Sequence, residues 1–311
     1  MTGELAAIAA IRAMLPGPPP GEVWIGDDAA VLPAPCGPLL LATDSVAAGV
    51  HADLTLTGLD DLGWKALSAA VSDVAAMGGE PRHAVVSVAG PPGTDLLLLY
   101  QGIRAASAEL GCPVVGGDLA NAGTLVVTVA VTGTCDGPPV LRSGARPGDG
   151  IWSTGPLGAA AAGLRCYRAL ADGGPPPPGV AGATLETLLR AHARPVAQVA
   201  AGRAARQAGA TAMIDVSDGL AVDLRHVAEA SGVGVRLDSV PLAAGATQDE
   251  ALCGGDDYVL AFCAPDPARV LASFAGAGLA KPLRVGTCTD DVSERSLAGR
   301  ALPTGGWEHS W

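Results

Sequence analysis

The chain has 311 residues, more than one core of ordinary size, so two domains of roughly 140 to 160 residues are the first expectation. Its apolar fraction of 49% with only 3% aromatics means a core of small aliphatic side chains, while 31 acids against 19 bases exclude the clustered cations that a nucleic-acid or anionic-membrane surface needs. Seven dispersed cysteines without a C-x-x-C pair form neither a disulfide framework nor a zinc site and read as reduced, mostly buried thiols. No basic region precedes an apolar stretch at the N-terminus and no run approaches ~20 apolar residues, so a cytoplasmic protein is predicted.

Helical spacing over residues 3–15 stops at Pro16, where a Pro/Gly loop begins. A strand over 22–26 is then expected to deliver Asp27 and Asp28, and a second over 39–43 to deliver Thr43 and Asp44, with His51 in the following loop. Leu59 to Met77 reads as a helix started by Asp60-Asp61 and closed by Gly78-Gly79. It carries Lys65 and Asp73 on neighbouring positions around its axis. Strands over 84–89, 114–118 and 125–135 flank a helix over 94–110, and the last strand, nearly all β-branched, should be central.

The polar, turn-rich Arg142–Asp149 marks the expected boundary, giving domains 1–140 and 141–311. Beyond it the spacing predicts a strand over 150–153, helices over 158–171, 184–193 and 195–208, and then the most informative stretch, Met213 to Asp223. That stretch reads as a buried strand opening through Asp215-Val216-Ser217-Asp218-Gly219 into a helix running to about Ala230. Strands over 233–237, 258–263 and 283–287, a helix over 267–277 and a tail with Trp307 and Trp311 complete the chain.

Asp215 and Asp218, three apart at a strand-to-helix junction, can converge beside backbone N–H groups that favour anions, as a metal–phosphate complex requires. The plainer alternative is that Ser217 or Asp218 caps the helix. Asp28, Asp44 and Asp118 follow similar apolar runs, so carboxylates are expected where strands empty into loops. With only two lysines, Lys65 and Lys281, and no Walker, Rossmann or protein-kinase signature, polyphosphate charge would have to be met by Mg²⁺ on carboxylates, helped by arginines such as Arg142.

Gly26-Asp27-Asp28-Ala29-Ala30, Thr43-Asp44-Ser45 with Gly49-Val50-His51, Lys65 through Ser72-Asp73-Val74, Gly116-Gly117-Asp118, Arg142-Ser143-Gly144-Ala145, Ile214-Asp215-Val216-Ser217-Asp218-Gly219-Leu220 and Gly254-Gly255-Asp256-Asp257-Tyr258 stand in the order and spacing of one family. Over nearly its whole length the chain resembles the thiamine-monophosphate kinases, in the ATP-binding superfamily that includes aminoimidazole ribonucleotide synthetase. The resemblance implies a two-domain α/β (α+β) fold: an N-terminal mixed sheet that forms a barrel across a homodimer, and a C-terminal α/β domain, with ATP between them. It further implies metal positions at Asp28, Thr43, Asp44, Asp73, Asp118, Asp215 and Asp218, of which Asp44, Asp73, Asp118 and Asp218 serve catalysis. Nucleotide contacts fall at Gly117, Asp118, Arg142, Ser217 and Tyr100, and thiamine monophosphate contacts at His51, Asp256 and Trp307.

The pattern departs from the family at Asp256, where Glu is usual, at Ala42 and Ala52, and at Leu119-Ala120 after Gly-Gly-Asp. These changes leave the metal set intact and thin the acceptor set. Two alternatives stand beside the kinase: another ATP-dependent synthetase or dikinase of the superfamily, and a non-catalytic nucleotide-binding relative.

Overall fold

The structure, a computed structural model, describes residues 4–307, so Gly3 and Trp311 lie outside it. Contacts divide the chain into two compact units, one of residues up to Val74 together with Glu80–Gly137, the other of Ala75–Gly79 and the residues from Pro138 on. No helix among the described residues is long and apolar enough to cross a membrane.

The first unit is a mixed four-stranded sheet in the order β1-β4-β2-β3, with β1 Leu39–Ala47, β2 Glu80–Gly90, β3 Val114–Asn121 and β4 Val126–Thr134. Only β2 and β3 run parallel. The β-branched run of β4 is central, as its sequence predicts, and alternates between buried and half-buried residues. Helices α1 (Glu4–Met14), α2 (Leu59–Ala76) and α3 (Leu96–Leu110) belong to the same stretch of chain. The uncovered face of the sheet is not uniformly apolar, because Leu39, Leu41 and Val85 alternate there with Thr43, Ser45, Ser87 and Thr128.

The expected strand over 22–26 does not form. Only isolated bridges join Val23 to Val31 and Ile25 to Asp27, and Gly26 takes φ +122°, which breaks an extended run. The expectation that acids sit where strands end also fails in this unit. Strand β1 continues past Thr43 and Asp44 to Ala47, and β3 past Asp118 to Asn121, so these residues are in mid-strand. Ladder pairing along an edge strand tolerates an acid whose side chain reaches water, which sequence periodicity reads as a strand end.

The second unit is a seven-stranded sheet in the order β11-β10-β7-β9-β5-β8-β6. Its strands are β5 Gly150–Ser153, β6 Ala212–Asp215, β7 Gly234–Leu237, β8 Leu260–Ala264, β9 Leu283–Thr289, β10 Arg295–Leu297 and β11 Arg300–Ala301. The central strands are buried on both faces, and their period of two divides them between two cores. Ile151, Ile214, Ala261 and Cys263 join the cluster under α7 (Leu220–Ser231), while Trp152, Met213 and Phe262 join the cluster with α6 (Val199–Gln207) and α9 (Pro267–Gly276). In that second cluster Trp152, Phe262 and Phe274 stack in sequence, so three of the chain's few aromatics concentrate in one place. Helices α4 (Ala159–Ala171) and α5 (Gly182–Ala193) form a hairpin with its own small cluster.

Among the described residues three elements are not predicted, the short strands β10 and β11 and one helix. Helix α8, Gln248–Cys253, is started by a capping box in which Thr247 and Glu250 satisfy each other's backbone N–H groups. The Thr-x-x-Glu signature was present in the sequence, but six residues give too little periodicity to read.

Candidate active site

In the first unit four of the assigned residues, Thr43, Asp44, Gly117 and Asp118, stand on an open sheet. Registry puts Asp44 in a row with Val129, Val86 and Gly117, and the next row holds Ser45, Thr128, Ser87 and Asp118. Adjacent rows face opposite sides, so Asp44 and Asp118 point to different faces from the two edge strands, roughly 14 Å apart across three strand spacings. The fold of this unit therefore does not bring that pair together. Thr43 shares the face of Asp118, and Ser45 Oγ and Thr128 Oγ1, 2.8 Å apart, make that face polar at its centre.

Asp28 is exposed in a loop, its N–H donating to Asp27 Oδ1 at 2.9 Å, and Asp73 is half-buried on α2. His51 follows β1 in a turn. Its Nδ1 accepts the N–H of Ala47 at 3.0 Å, which leaves the ring proton on Nε2, and its carbonyl accepts from the buried Lys65 Nζ at 3.3 Å.

Tyr100 is 3% exposed, and burial raises its hydroxyl pKa to about 12. Gly117 has a reason within the sheet, since a side chain there would run into the carbonyl of Val86. Beyond Asp118, Leu119, Ala120 and Asn121 line a cavity of about 700 Å³ with Val88, Leu96 and Leu97, at the carboxyl ends of the parallel β2 and β3. This is where ligands of α/β sheets gather, and the size suits a small molecule.

The junction after β6 is built differently. Asp215 ends the strand and is 5% exposed, as the sequence predicts for a buried strand opening into a helix. Neither Ser217 nor Asp218 caps α7. The cap residue is Gly219, at φ 118° and ψ 139°, a conformation reserved for glycine, and a Cβ there would lie 2.7 Å from the Leu252 carbonyl.

The orphan N–H groups are met from inside the helix, where Asp223 Oδ2 accepts from Asp218 N at 3.2 Å and Gly219 N at 3.1 Å. Burial, then the charges of Asp215 and Asp218, push the Asp223 carboxyl up to about 8, against the opposing pull of those two backbone donors. Carbonyls of the junction are also claimed. Ser217 O accepts from Asp256 N at 2.9 Å, Val216 O from Tyr258 N at 3.0 Å, and Asp218 O from Trp307 N at 3.1 Å. Trp307 is 47% exposed, so its ring stands at the surface beside Asp218.

Asp256, half-buried, follows Gly254-Gly255 at the end of α8. Its neighbour Asp257 faces away, accepting Gly158 N at 2.5 Å and Ala160 N at 3.0 Å and so capping α4 from outside that helix. Burial raises Asp257 to about 6, the backbone donors opposing it. Arg142 is exposed, while its carbonyl accepts from Ser231 Oγ at 3.2 Å, tying the start of this segment to the end of α7.

Asp223 and Asp257 are the residues that sequence reasoning missed. For Asp223 a signal existed, an acid in the first turn of a helix whose preceding residue is glycine.

The donor chemistry fits Mg²⁺. The charges of Asp215 and Asp218 both bear on Asp223, so the carboxylates stand close together, and oxygen-only negative charge of this kind is what a hard divalent cation neutralises. Among the described residues no three His, Cys, Asp or Glu side chains are placed to bind one ion by themselves. Mg²⁺ does not need three, since it usually takes one or two carboxylates and completes its shell with water and phosphate.

Comparison with known proteins agrees along the chain. A family model described as AIR synthase related protein, N-terminal domain, matches residues 26–135, and its C-terminal counterpart matches residues 146–297. The chain is 35% identical over 278 residues to the thiamine-monophosphate kinase of Mycobacterium tuberculosis H37Rv, covering 84% of this chain and 80% of that one. Its structure is similar to that of thiamine-monophosphate kinase from Stenotrophomonas maltophilia K279a, with a TM-score of 0.80 and 31% identity over 96% of this chain and 98% of the other. It is likewise similar to AaThiL complexed with AMPPCP and TMP, with a TM-score of 0.76 and 30% identity over 88% and 87% of the two chains.

Proposed function

The chain belongs to the AIR synthase related family and, within it, to the thiamine-monophosphate kinases, and from that premise we propose that it transfers the terminal phosphoryl group of ATP directly to thiamine monophosphate. The observation that carries this reading is the likeness to AaThiL complexed with AMPPCP and TMP. An oxygen of the acceptor's phosphate attacks the γ-phosphorus in line, the bond to the β-phosphate oxygen breaks, and ADP leaves as thiamine diphosphate forms.

The acceptor is a phosphate monoester with a second pKa near ~6, so its attacking oxygen is already deprotonated at neutral pH. The reaction needs no general base. Its barrier is the repulsion of two polyanions, and the protein's task is to position them and meet their charge. Mg²⁺, when bound, supplies that charge.

In this reading Asp28, Thr43, Asp44, Asp73, Asp118, Asp215 and Asp218 are ligands distributed among several Mg²⁺ ions. Asp44, Asp73, Asp118 and Asp218 are the catalytic members. Gly117, Arg142, Ser217 and Tyr100 are assigned to the nucleotide. For Arg142, exposed and anchored through its main chain, a planar fork suits a phosphate, whereas the buried Tyr100 can serve only by shaping the wall behind it. His51, Asp256 and Trp307 receive the acceptor, with the tryptophan face suited to a thiazolium cation.

The open sheet face, where Leu39 is 57%, Leu41 72% and Val85 41% exposed, supports a two-fold dimer of these sheets closing into a barrel. Light scattering at micromolar concentration should give twice the chain mass.

A coupled assay for ADP release tests the function. Release should require both Mg²⁺ and thiamine monophosphate and be matched by thiamine diphosphate. ADP release indifferent to thiamine monophosphate would favour a synthetase of the same family, and nucleotide binding without turnover a non-catalytic relative.

A further inference from the structure

The turn Asp256-Asp257-Tyr258 is strained and fully tied down. Asp256 and Tyr258 both take positive φ, 66° and 49°. For a residue as bulky as tyrosine that is a genuine outlier, and such outliers persist where the surroundings over-determine them. Here the surroundings do so three times. The N–H groups of Asp256 and Tyr258 are bonded to Ser217 O and Val216 O, and the Asp257 carboxylate is committed to the N-terminus of α4. A residue two before Tyr258 then meets its ring, and the Tyr258 hydroxyl donates to Asp256 Oδ1 at 3.2 Å. Tyr258 is 4% exposed, so phenylalanine would fill the same space and lose only that hydroxyl.

We propose that Tyr258 is a positioning residue, whose hydroxyl holds the Asp256 carboxylate in the orientation that receives the amino-bearing ring of the phosphoryl acceptor. A carboxylate held by a hydrogen bond keeps one orientation, so a ring N–H donor meets it without first ordering the side chain. The consequence is acceptor affinity, with the nucleotide and the chemical step untouched. The proposal rests on the reading that Asp256 contacts thiamine monophosphate.

The test is steady-state kinetics of the full chain with Mg²⁺–ATP and thiamine monophosphate for wild type, Tyr258→Phe, Asp256→Ala and the double variant. Tyr258→Phe should raise KM for thiamine monophosphate about three- to ten-fold, the worth of one hydrogen bond, with kcat and KM for ATP within about two-fold of wild type. Adding Tyr258→Phe to Asp256→Ala should change nothing further, because the group it positions is gone. If Asp256→Ala leaves KM for the acceptor at the wild-type value, the reading of Asp256 is wrong. If Asp256→Ala raises it but Tyr258→Phe does not, or Tyr258→Phe acts equally in both backgrounds, the positioning role is overturned. A Tyr258→Phe chain that does not fold overturns it too, since the hydroxyl is then structural.

Discussion

The open sheet of the first unit and the junction after β6 in the second both display aspartates, and they do so by opposite means. On the sheet, Asp44 and Asp118 are presented by the alternation of an extended strand, and their backbones are held by ladder bonds that any residue could make. At the junction, the backbone from Val216 to Gly219 is irregular, and it is held by neighbours that include the buried Asp223, while the half-buried Asp257 does the same for the start of α4. The difference teaches that acid residues here have two trades. Asp223 and Asp257 are parts of the frame, satisfying N–H groups that no secondary structure pairs, and the proposed function offers the others, the buried Asp215 among them, to a ligand.

The largest effect expected on this division is at the sheet. Asp44→Asn and Asp118→Asn should each lower kcat/KM by about 10²- to 10³-fold, as losing one charge-stabilising group does, while the metal-free protein melts at or above the wild-type temperature. Wild-type turnover in either variant would move that acid out of the binding set. Next in size is Trp307→Ala. It should raise KM for thiamine monophosphate about three- to thirty-fold and leave KM for ATP near wild type, matching the ~0.5–2 kcal/mol of a cation on an aromatic face. A weakened ATP site with acceptor affinity unchanged would detach the tail from the acceptor.

The smallest effect concerns the frame. The Asp257 carboxyl, raised from 3.8 to about 6, binds its proton more tightly folded than unfolded. Its contribution is complete below the unfolded value and is lost as pH rises through the folded one. Urea unfolding of wild type should therefore lose ~1 kcal/mol between about pH 5 and 7.5 that Asp257→Asn does not lose. Equal slopes would remove Asp257 from the frame.

Much of this was legible in the sequence. The β-branched run of β4, the α2 helix with its Asp60-Asp61 start and the buried β6 opening into α7 all announce themselves through period and punctuation. What stayed hidden depends on partners distant in the chain. Asp257 meets Gly158 across 99 residues, and nothing local to either foretells the bond. The positive φ of Asp256 and Tyr258 is hidden for the same reason, since neither residue type requests it. The mid-strand placement of Asp44 and Asp118 was misread because a polar residue inside an edge strand looks, from sequence, like that strand's end.

Asp218 lies on the line between the two trades, half-buried, its main chain part of the frame and its side chain assigned to the metal. The direct measurement is thermal melting of Asp218→Asn against wild type, with and without Mg²⁺ and a non-hydrolysable ATP analogue. With one charge removed from the group it shares with Asp215 and Asp223, the variant should melt at or above wild type when metal-free. The rise on adding Mg²⁺ and analogue should fall to less than about half the wild-type rise. A variant that melts lower when metal-free yet keeps the full rise would make Asp218 a frame residue and contradict the account.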